Sequence, residues 1–285
     1  MGATNGFANG NTFLASSKSA RPVLRCAASK MLDSLTLPMH DLPAIAVVAA
    51  IRGGDLAALA QLLRDQPALA NARLVDERGV ARTLLHVVAD WPGHLVQGRA
   101  LVEILLAAGA DVNAHLICAN MSSAPETALH WAASSDDVAV LDALLDHGAN
   151  IEAPGAVFTG GTAMSDAVVF AQWHAARRLL ARGALTTLWQ AAALGLVDRV
   201  HEHIAAAPLP TAAQLQNALW HACRGGQLAV AELLLACGAD PNWRGYDNKT
   251  ALDVALELQP ADAAQPLVAL LRASDAQRFA ALSTR

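Results

Sequence analysis

One phrase recurs along this chain, and it constrains the fold more than any other feature does. Residues 126–133 read ETALHWAA, and residues 144–151, which close the same unit, read LLDHGANI. Degraded copies of this unit run from about residue 44 to residue 271. Self-similarity at a fixed period of roughly 20 to 50 residues is typical of stacked repeats. The chain is therefore predicted to form one elongated solenoid, in which neighbouring repeats stabilise each other.

The opening and closing phrases resemble those of the ankyrin repeat, whose unit of ~33 residues carries a T-P-L-H-x-A core. In this register a capping repeat spans residues 46–71. Six further repeats open with TLLHVVA at 83–89, ETALHWAA at 126–133, TAMSDA at 162–167, TLWQAA at 187–192, ALWHAC at 218–223 and DNKTALD at 247–253. Ser165 is assigned to the histidine position of repeat four, and Trp189 and Trp220 to that of repeats five and six. The resemblance implies an all-α, ankyrin-repeat solenoid of about seven helix-turn-helix repeats with connector fingers.

The ends of the chain differ in composition from the repeats. Residues 1–38 are rich in Gly, Asn, Ser and Ala, and they contain no acidic residue before Asp33. We predict a disordered N-terminal tail here. A targeting segment, which is rich in Ser and Arg and poor in acids, and a misassigned start stay open as alternatives. The ankyrin-repeat array is predicted over residues 39–275, and residues 276–285 are predicted as a C-terminal tail.

Composition and missing motifs argue against several function classes. A net charge of −5 without any Lys/Arg run disfavours nucleic-acid binding, which depends on basic contacts to phosphates. The longest apolar stretch, residues 42–51, is half of the ~20 residues that a membrane span needs. The four cysteines form no C-x-x-C pair and indicate reduced thiols of a cytoplasmic protein. Because the sequence has no phosphate loop, nucleophile elbow, dinucleotide fingerprint or zinc-protease motif, we predict no enzyme activity, no cofactor and no metal.

Three inserted segments set the early repeats apart from the family unit. The connectors at residues 73–82 and 115–126 are long, and residues 92–96 lengthen the turn between the two helices of repeat two. The junction at residues 184–186, in contrast, has almost no connector. Extra backbone that builds no core is disfavoured by its ordering entropy unless it makes contacts or stays disordered. We therefore predict that the three insertions form a wall beside a groove.

The resemblance also implies a binding face. In ankyrin arrays the residues that follow the Ala pair of each first helix, together with the fingers, face the partner. In this sequence these positions and their polar neighbours are Asp90, Trp91, His94, Ser134, Ser135, Asp136, Asp137, Phe170, Leu194 and Arg224. Trp91, Phe170 and Leu194 are expected to be exposed, and exposed aromatic side chains are typical binding hot spots. Burial of these side chains under the long fingers is the other interpretation. We predict a monomeric, non-catalytic module that binds a protein partner of unknown identity on its concave face and fingers.

Polar residues cluster at one end of the helices of repeats two and three. They are Asp90, His94, Asp136 and Asp137, with Asp166 one repeat further on. Carboxylates and an imidazole from adjacent repeats could hold a divalent cation, perform acid–base chemistry or bind a small ligand. Helix capping is the favoured interpretation, because Asp136 and Asp137 directly precede a helix and meet its free N–H groups. A small-ligand-binding protein or an enzyme that uses this cluster is the alternative function.

Three tryptophans, Trp131, Trp189 and Trp220, lie at or beside the histidine position of the opening phrase. A row of indole rings at the repeat spacing could form a platform for a cation or a nucleic-acid base. Packing between repeats, with each indole N–H bonded to a neighbouring turn, is the favoured interpretation.

Overall fold

The computed structural model describes residues 35–118 and 125–283, most of which are helical. Fourteen α-helices in these residues pair into seven helix-turn-helix repeats, which confirms the predicted solenoid. The pairs are α1 (Leu42–Arg52) and α2 (Leu56–Asp65), α3 (Leu84–Ala89) and α4 (Gly98–Ala107), α5 (Ala128–Ser134) and α6 (Val138–Asp146), α7 (Ala163–Val169) and α8 (Trp173–Ala181), α9 (Leu188–Ala193) and α10 (Val197–Ala205), α11 (Ala212–Arg224) and α12 (Leu228–Ala236), and α13 (Ala251–Leu256) and α14 (Ala261–Ser283). Within the described residues, no helix has the length and apolar character that a membrane crossing requires.

Connectors of the first repeats fold into a small sheet, which the all-α prediction did not contain. Its strands are β1 (Thr36–Pro38), β2 (Arg73–Val75), β3 (Val80–Arg82) and β4 (Ile117–Cys118), in that order across the sheet. β1 runs parallel to β2, while β2 and β3 form a hairpin and β3 pairs antiparallel with β4. The backbone N–H and C=O groups of a long connector need partners, and the ladder supplies them. The insertion at residues 73–82 is therefore an ordered finger.

Ordered structure continues into both predicted tails. Thr36–Pro38 lie in the predicted N-terminal tail, yet they form β1 and bury Leu37. The parallel pairing with β2 attaches this segment to the finger at residues 73–82. The first 34 residues of the predicted tail lie outside the described residues. At the other end α14 continues to Ser283, so residues 276–283 of the predicted C-terminal tail are helical.

The second helix of repeat three shows how a unit is built. Leu141 and Leu144 form its fully buried stripe. Asp137 caps the start of α6 by accepting a hydrogen bond from the Val140 N–H at 3.1 Å. Gly148 follows the helix end with a φ of 85°, a left-handed conformation that glycine adopts without steric cost. Because a single helix pair cannot cover this stripe, adjacent repeats bury it.

The histidine of the opening phrase joins one repeat to the next. In repeat three the Thr127 N–H donates to His130 Nδ1 at 3.2 Å, and the Thr127 hydroxyl lies 3.0 Å from the same nitrogen. The proton of the neutral ring therefore sits on Nε2, which donates to the Gly161 carbonyl oxygen at 3.4 Å. His86 in repeat two likewise lies with its Nε2 3.1 Å from the Glu126 carbonyl oxygen. Each ring thus ties its own helix start to the connector of the following repeat.

The histidine position in repeat five lies one residue later than predicted. It is occupied by Gln190 and not by Trp189, because Gln190 Oε1 accepts a hydrogen bond from the Thr187 N–H at 2.8 Å. The spacing of three residues from the capping threonine, as in repeat three, defines the position. In repeat six the position is occupied by Trp220, as predicted, because its indole N–H donates to the connector of the next repeat as the His130 ring does in repeat three.

The tryptophans pack at or beside this position, in agreement with packing between repeats as the favoured interpretation of their role. The Trp220 indole N–H donates to the Lys249 carbonyl oxygen of the next connector at 3.0 Å. The Trp131 indole N–H donates instead to a side chain, Glu126 Oε2, at 3.1 Å. Trp189 is half-buried and packs against apolar side chains of the repeats on both sides.

Candidate interaction surface

A groove lies where the first helices of repeats two to four meet the connectors. It has a volume of about 230 Å³ and is lined by two acidic, two hydroxyl and four apolar side chains. These residues define the Trp91 groove: Asp90, Trp91, Glu126, Trp131, Ser134, Ser135, Val157 and Phe170. Five of the ten predicted site residues are among them.

Two aromatic side chains of the groove are open to solvent. Trp91 is 79% exposed and Phe170 is 41% exposed, as predicted for both. The two serines are turned toward the protein, since the Ser134 and Ser135 hydroxyls donate to backbone carbonyl oxygens at 2.9 and 3.3 Å. The aromatic rings are therefore the main apolar surface that the groove presents.

The inserted turn at residues 92–96 is fixed on repeat three. The His94 N–H donates to Asp137 Oδ2 at 2.7 Å, and His94 Nε2 lies 3.0 Å from the Ser135 carbonyl oxygen. The other oxygen of Asp137 caps α6. Because these contacts hold the turn that directly follows Trp91, the exposed indole stands on a constrained backbone.

Helix capping accounts for the acids that directly precede α6. Asp136 extends to the next repeat, where its carboxylate accepts the Ala175 N–H at 2.7 Å and lies 2.8 Å from His174 Nδ1. Asp137 is buried and caps its own helix. Asp137 thus caps α6 as predicted, whereas Asp136 satisfies an N–H group at the start of α8 in the next repeat. Among the described residues, no group of three or more His, Cys, Asp or Glu side chains could hold a metal ion.

Arg82, at the end of β3, connects the finger to the groove. Its guanidinium pairs with Asp76 at 3.2 Å and with Asp90 at 3.5 Å. The guanidinium carbon also lies 5.4 Å from the centre of the Trp131 ring. The hairpin at residues 73–82 therefore helps to position one acid and one ring of the groove.

The other two insertions of the predicted wall reach the groove to different extents. The turn at residues 92–96 packs on repeat three beside it. Of the connector at residues 115–126, Glu126 lines the groove, whereas residues 119–124 lie outside the described residues.

Two acids of this region were not among the predicted partner contacts. Glu126 contributes to the groove lining, and burial raises the pKa of its carboxyl group. Asp166 is 1% exposed, and its Oδ2 has no hydrogen-bond partner among the described residues. Burial first, and the neighbouring Glu126 second, raise the pKa of Asp166 to about 8. The signal in the sequence was an acid inside the apolar first helix of repeat four, since ionisable side chains are seldom fully buried without a partner.

A second cavity of about 360 Å³ adjoins this region in the later repeats. We name it the Arg224 pocket, and its aromatic and basic lining includes Phe158, Phe170, Trp220, His221, Arg224 and Tyr246. The Arg224 guanidinium donates to the Val168 carbonyl oxygen at 2.9 Å and lies 5.9 Å from the centre of the Trp220 ring. Phe170 belongs to both cavities, so the groove and the pocket are neighbours on one surface.

Three predicted partner contacts are buried. Leu194 is 9% exposed and belongs to the core, Ser135 is 6% exposed at the base of the groove, and Asp137 is 2% exposed. Leu194 is covered because repeat five lacks a finger and the next repeat comes close. A Cβ atom on Gly225 would collide with the Ala193 carbonyl oxygen, which shows how near the ends of α11 and α9 are. Neither Leu194 nor Asp137 is offered to a partner.

Comparison with known proteins agrees with the repeat architecture. The model of ankyrin repeats in three copies matches residues 45–154, and the model of a single ankyrin repeat matches residues 214–246. The fold is similar to the crystal structure of the human ASB11 ankyrin repeat domain, with 23% sequence identity and a TM-score of 0.46. That similarity covers 77% of this chain and 96% of the other. No curated protein sequence matches the chain. The repeated phrases, the seven helix pairs and the matched segments together show that the chain belongs to the ankyrin repeat family.

Proposed function

We propose that this chain is a non-catalytic module that binds a protein partner through the Trp91 groove, on its concave face and connector fingers. Ankyrin repeat domains are typically protein–protein interaction modules and are generally non-catalytic. The observation that carries the proposal is Trp91, which is 79% exposed beside a fixed turn. An aromatic side chain buries about 150 to 250 Å² when it is covered. An indole on a constrained backbone supplies this area at a small cost in conformational entropy.

The geometry gives less support to the alternative function. A small-ligand site or an active site built from Asp90, His94, Asp136 and Asp137 needs these side chains to converge on one point. Instead, Asp136 and Asp137 accept backbone N–H groups, and Asp90 pairs with Arg82. A protein partner uses the exposed rings and leaves these contacts intact.

Trp91→Ala should weaken binding of the partner by about 2 kcal/mol or more, which is a roughly 30-fold rise in Kd, as for other central aromatic anchors. Its melting temperature should stay near that of the wild type, because the ring is mostly exposed. The partner is first identified by affinity capture and mass spectrometry, and Kd is then measured by isothermal titration calorimetry.

Leu209→Ala is the matched control, since Leu209 is 72% exposed between α10 and α11 and lies outside the groove. It should leave both Kd and the melting temperature unchanged. Unfolding of the Trp91→Ala variant, or an unchanged Kd, would place the binding surface elsewhere on the array.

A further inference from the structure

The Trp91 groove combines aromatic rings with negative charge. Its rings belong to Trp91, Trp131 and Phe170, and its two charged lining residues are Asp90 and Glu126. The face of an aromatic ring attracts a cation through the ring quadrupole, and a nearby carboxylate adds to this attraction. The groove is therefore complementary to a positively charged group attached to an apolar stem.

Arg82 shows that this environment already accommodates one guanidinium. Its carbon lies 5.4 Å from the centre of the Trp131 ring, and its nitrogen pairs with Asp90 at 3.5 Å. The ion-pair partners of Arg82 are Asp76 and Asp90, and not Glu126. The side chain of Glu126 instead accepts the indole N–H of Trp131. One acid of the groove thus has an ion-pair partner, and the other has none among the described residues.

A second carboxyl group without a counter-ion lies next to Glu126. Asp166 is 1% exposed and leaves Oδ2 without a partner among the described residues. The negative charge of Glu126 contributes to the raised pKa of Asp166, so the two groups interact. Adjacent desolvated acids are unfavourable unless a cation or a proton compensates them, and such groups are concentrated at functional sites. A cation in the groove would stabilise the ionised form of both.

We propose that the Trp91 groove binds a lysine or arginine side chain of the protein partner, with Glu126 as its ion-pair acceptor and the Trp91 and Trp131 rings beside its charge. This inference rests on the proposed function of the groove and names the residue type that the groove selects. Both basic side chains carry an apolar stem and a charged end. Arginine should bind more tightly, because its planar guanidinium stacks on aromatic faces and fits a carboxylate with two hydrogen bonds.

The test uses the full chain and a capped peptide, Ala-Ala-Arg-Ala-Ala. The matched peptide carries citrulline, which keeps the shape of arginine but has no charge. Both are titrated at pH 7 while two-dimensional NMR follows the indole N–H signals of Trp91 and Trp131. The arginine peptide should shift these two signals and bind about tenfold more tightly than the citrulline peptide, because the cation–π and ion-pair contributions both require the charge.

Two variants distinguish the contribution of Glu126 to peptide affinity from that of the overall negative charge of the protein. Glu126→Gln should weaken the arginine peptide by about tenfold, through loss of a partly desolvated ion pair. Glu77→Gln removes the same charge at an exposed position in the β2–β3 turn and should leave the affinity unchanged. Circular dichroism and thermal melting of each variant check the fold.

Three results would overturn the inference: equal binding of the arginine and citrulline peptides to the wild type, absence of shifts at both indole signals, or an unchanged affinity in a folded Glu126→Gln variant. The peptide comparison needs no variant, so it decides the question even if Glu126→Gln is poorly folded. None of these results decides whether the groove binds a protein partner, which the Trp91→Ala experiment tests separately. Trp91→Ala can still reduce partner affinity through the loss of apolar contact.

Discussion

Repeats three and six each bury a histidine in the first helix, His130 at the motif position and His221 one residue after it, and they surround the ring differently. His130 has the Thr127 N–H on one ring nitrogen and the Gly161 carbonyl on the other. His221 is equally buried, yet neither of its ring nitrogens has a partner among the described residues. Burial lowers the pKa of His130 to about 4 and that of His221 to about 3, so both rings are neutral at pH 7. The two rings are therefore similarly buried, but only that of His130 is hydrogen-bonded within the described residues.

The start of the helix explains this difference. In repeat six α11 begins after Thr211, well before the opening phrase, so Ala218 lies inside the helix and has no free N–H to offer a side chain. His221 packs instead against the Trp189 and Trp220 rings, with centroids 4.6 and 4.9 Å away. Rings pack around His221, while the hydrogen bond to the next connector comes from Trp220. The residue three positions before each histidine, a helix start at Thr127 and a helix interior at Ala218, decides whether the imidazole ring is hydrogen-bonded.

Asp166 is a third buried titratable residue, in repeat four. Its replacement should have the largest effect on the free energy of unfolding. Its folded pKa of about 8 lies above its ordinary value of 3.8, so between these values the folded state keeps a proton that the unfolded state has lost. The free energy of unfolding should therefore fall as pH rises from 4 to 8, by about 1.4 kcal/mol per pH unit relative to Asp166→Asn. Urea unfolding of both proteins at pH 5, 6.5 and 8 measures the two slopes. Parallel pH profiles would show that Asp166 has a partner in solution.

Replacing each histidine with a leucine tests the comparison directly. His130→Leu should lower the free energy of unfolding by about 3 kcal/mol, because it leaves the Thr127 N–H and the Gly161 carbonyl unpaired. His221→Leu should change it by less than about 1 kcal/mol or raise it, since the ring that is removed satisfies no other group. Chemical denaturation at pH 7.5 keeps both rings neutral in the wild type. Equal losses in the two variants would mean that packing, and not hydrogen bonding, sets the contribution of these buried histidines to stability.

The capping threonine gives the smallest expected effect. Thr127→Ala should lower the free energy of unfolding by about 1 kcal/mol, as other N-cap substitutions do. A threonine introduced three residues before His221, Ala218→Thr, should bring no gain, because a threonine inside α11 has no helix start to cap. Thermal unfolding of the pair resolves a difference of this size. A stabilised Ala218→Thr variant would indicate that a hydroxyl alone rescues the unpaired ring.

The repeat number was predictable from the sequence, because each unit carries local signals. Leu144 and Gly148 illustrate this: a buried stripe and a left-handed helix end follow from spacing and residue type. The register of repeat five was misread where the motif histidine is replaced. Counting three residues from Thr187 would have found Gln190. In repeat six the phrase ALWHAC, aligned with ALHWAA, was enough to place Trp220, although no threonine lies three residues before it.

The groove was predictable only in its aromatic part. Trp91 and Phe170 follow from equivalent positions in successive repeats, and the structure leaves both exposed. The interaction between Glu126 and Asp166 joins residues from different repeats and depends on the path of a connector, which local patterns do not specify. Leu194 was misjudged for a related reason, since its burial results from the close approach of the next repeat.

The finger sheet gives the first three repeats a mechanical property that the others lack. In the later repeats adjacent units are joined by side-chain packing and single contacts, so denaturant or force can remove them one at a time. β1 to β4 add backbone ladders that connect the start of the array to the connectors before repeats two and three, and Arg73 adds a hydrogen bond to the His115 carbonyl. Pulling on the chain ends should therefore detach the C-terminal repeats in small steps and release the first three in one large step. Most of the Trp91 groove lies in the first three repeats, which are expected to unfold last. A bound partner would therefore stay attached after the C-terminal repeats have unfolded.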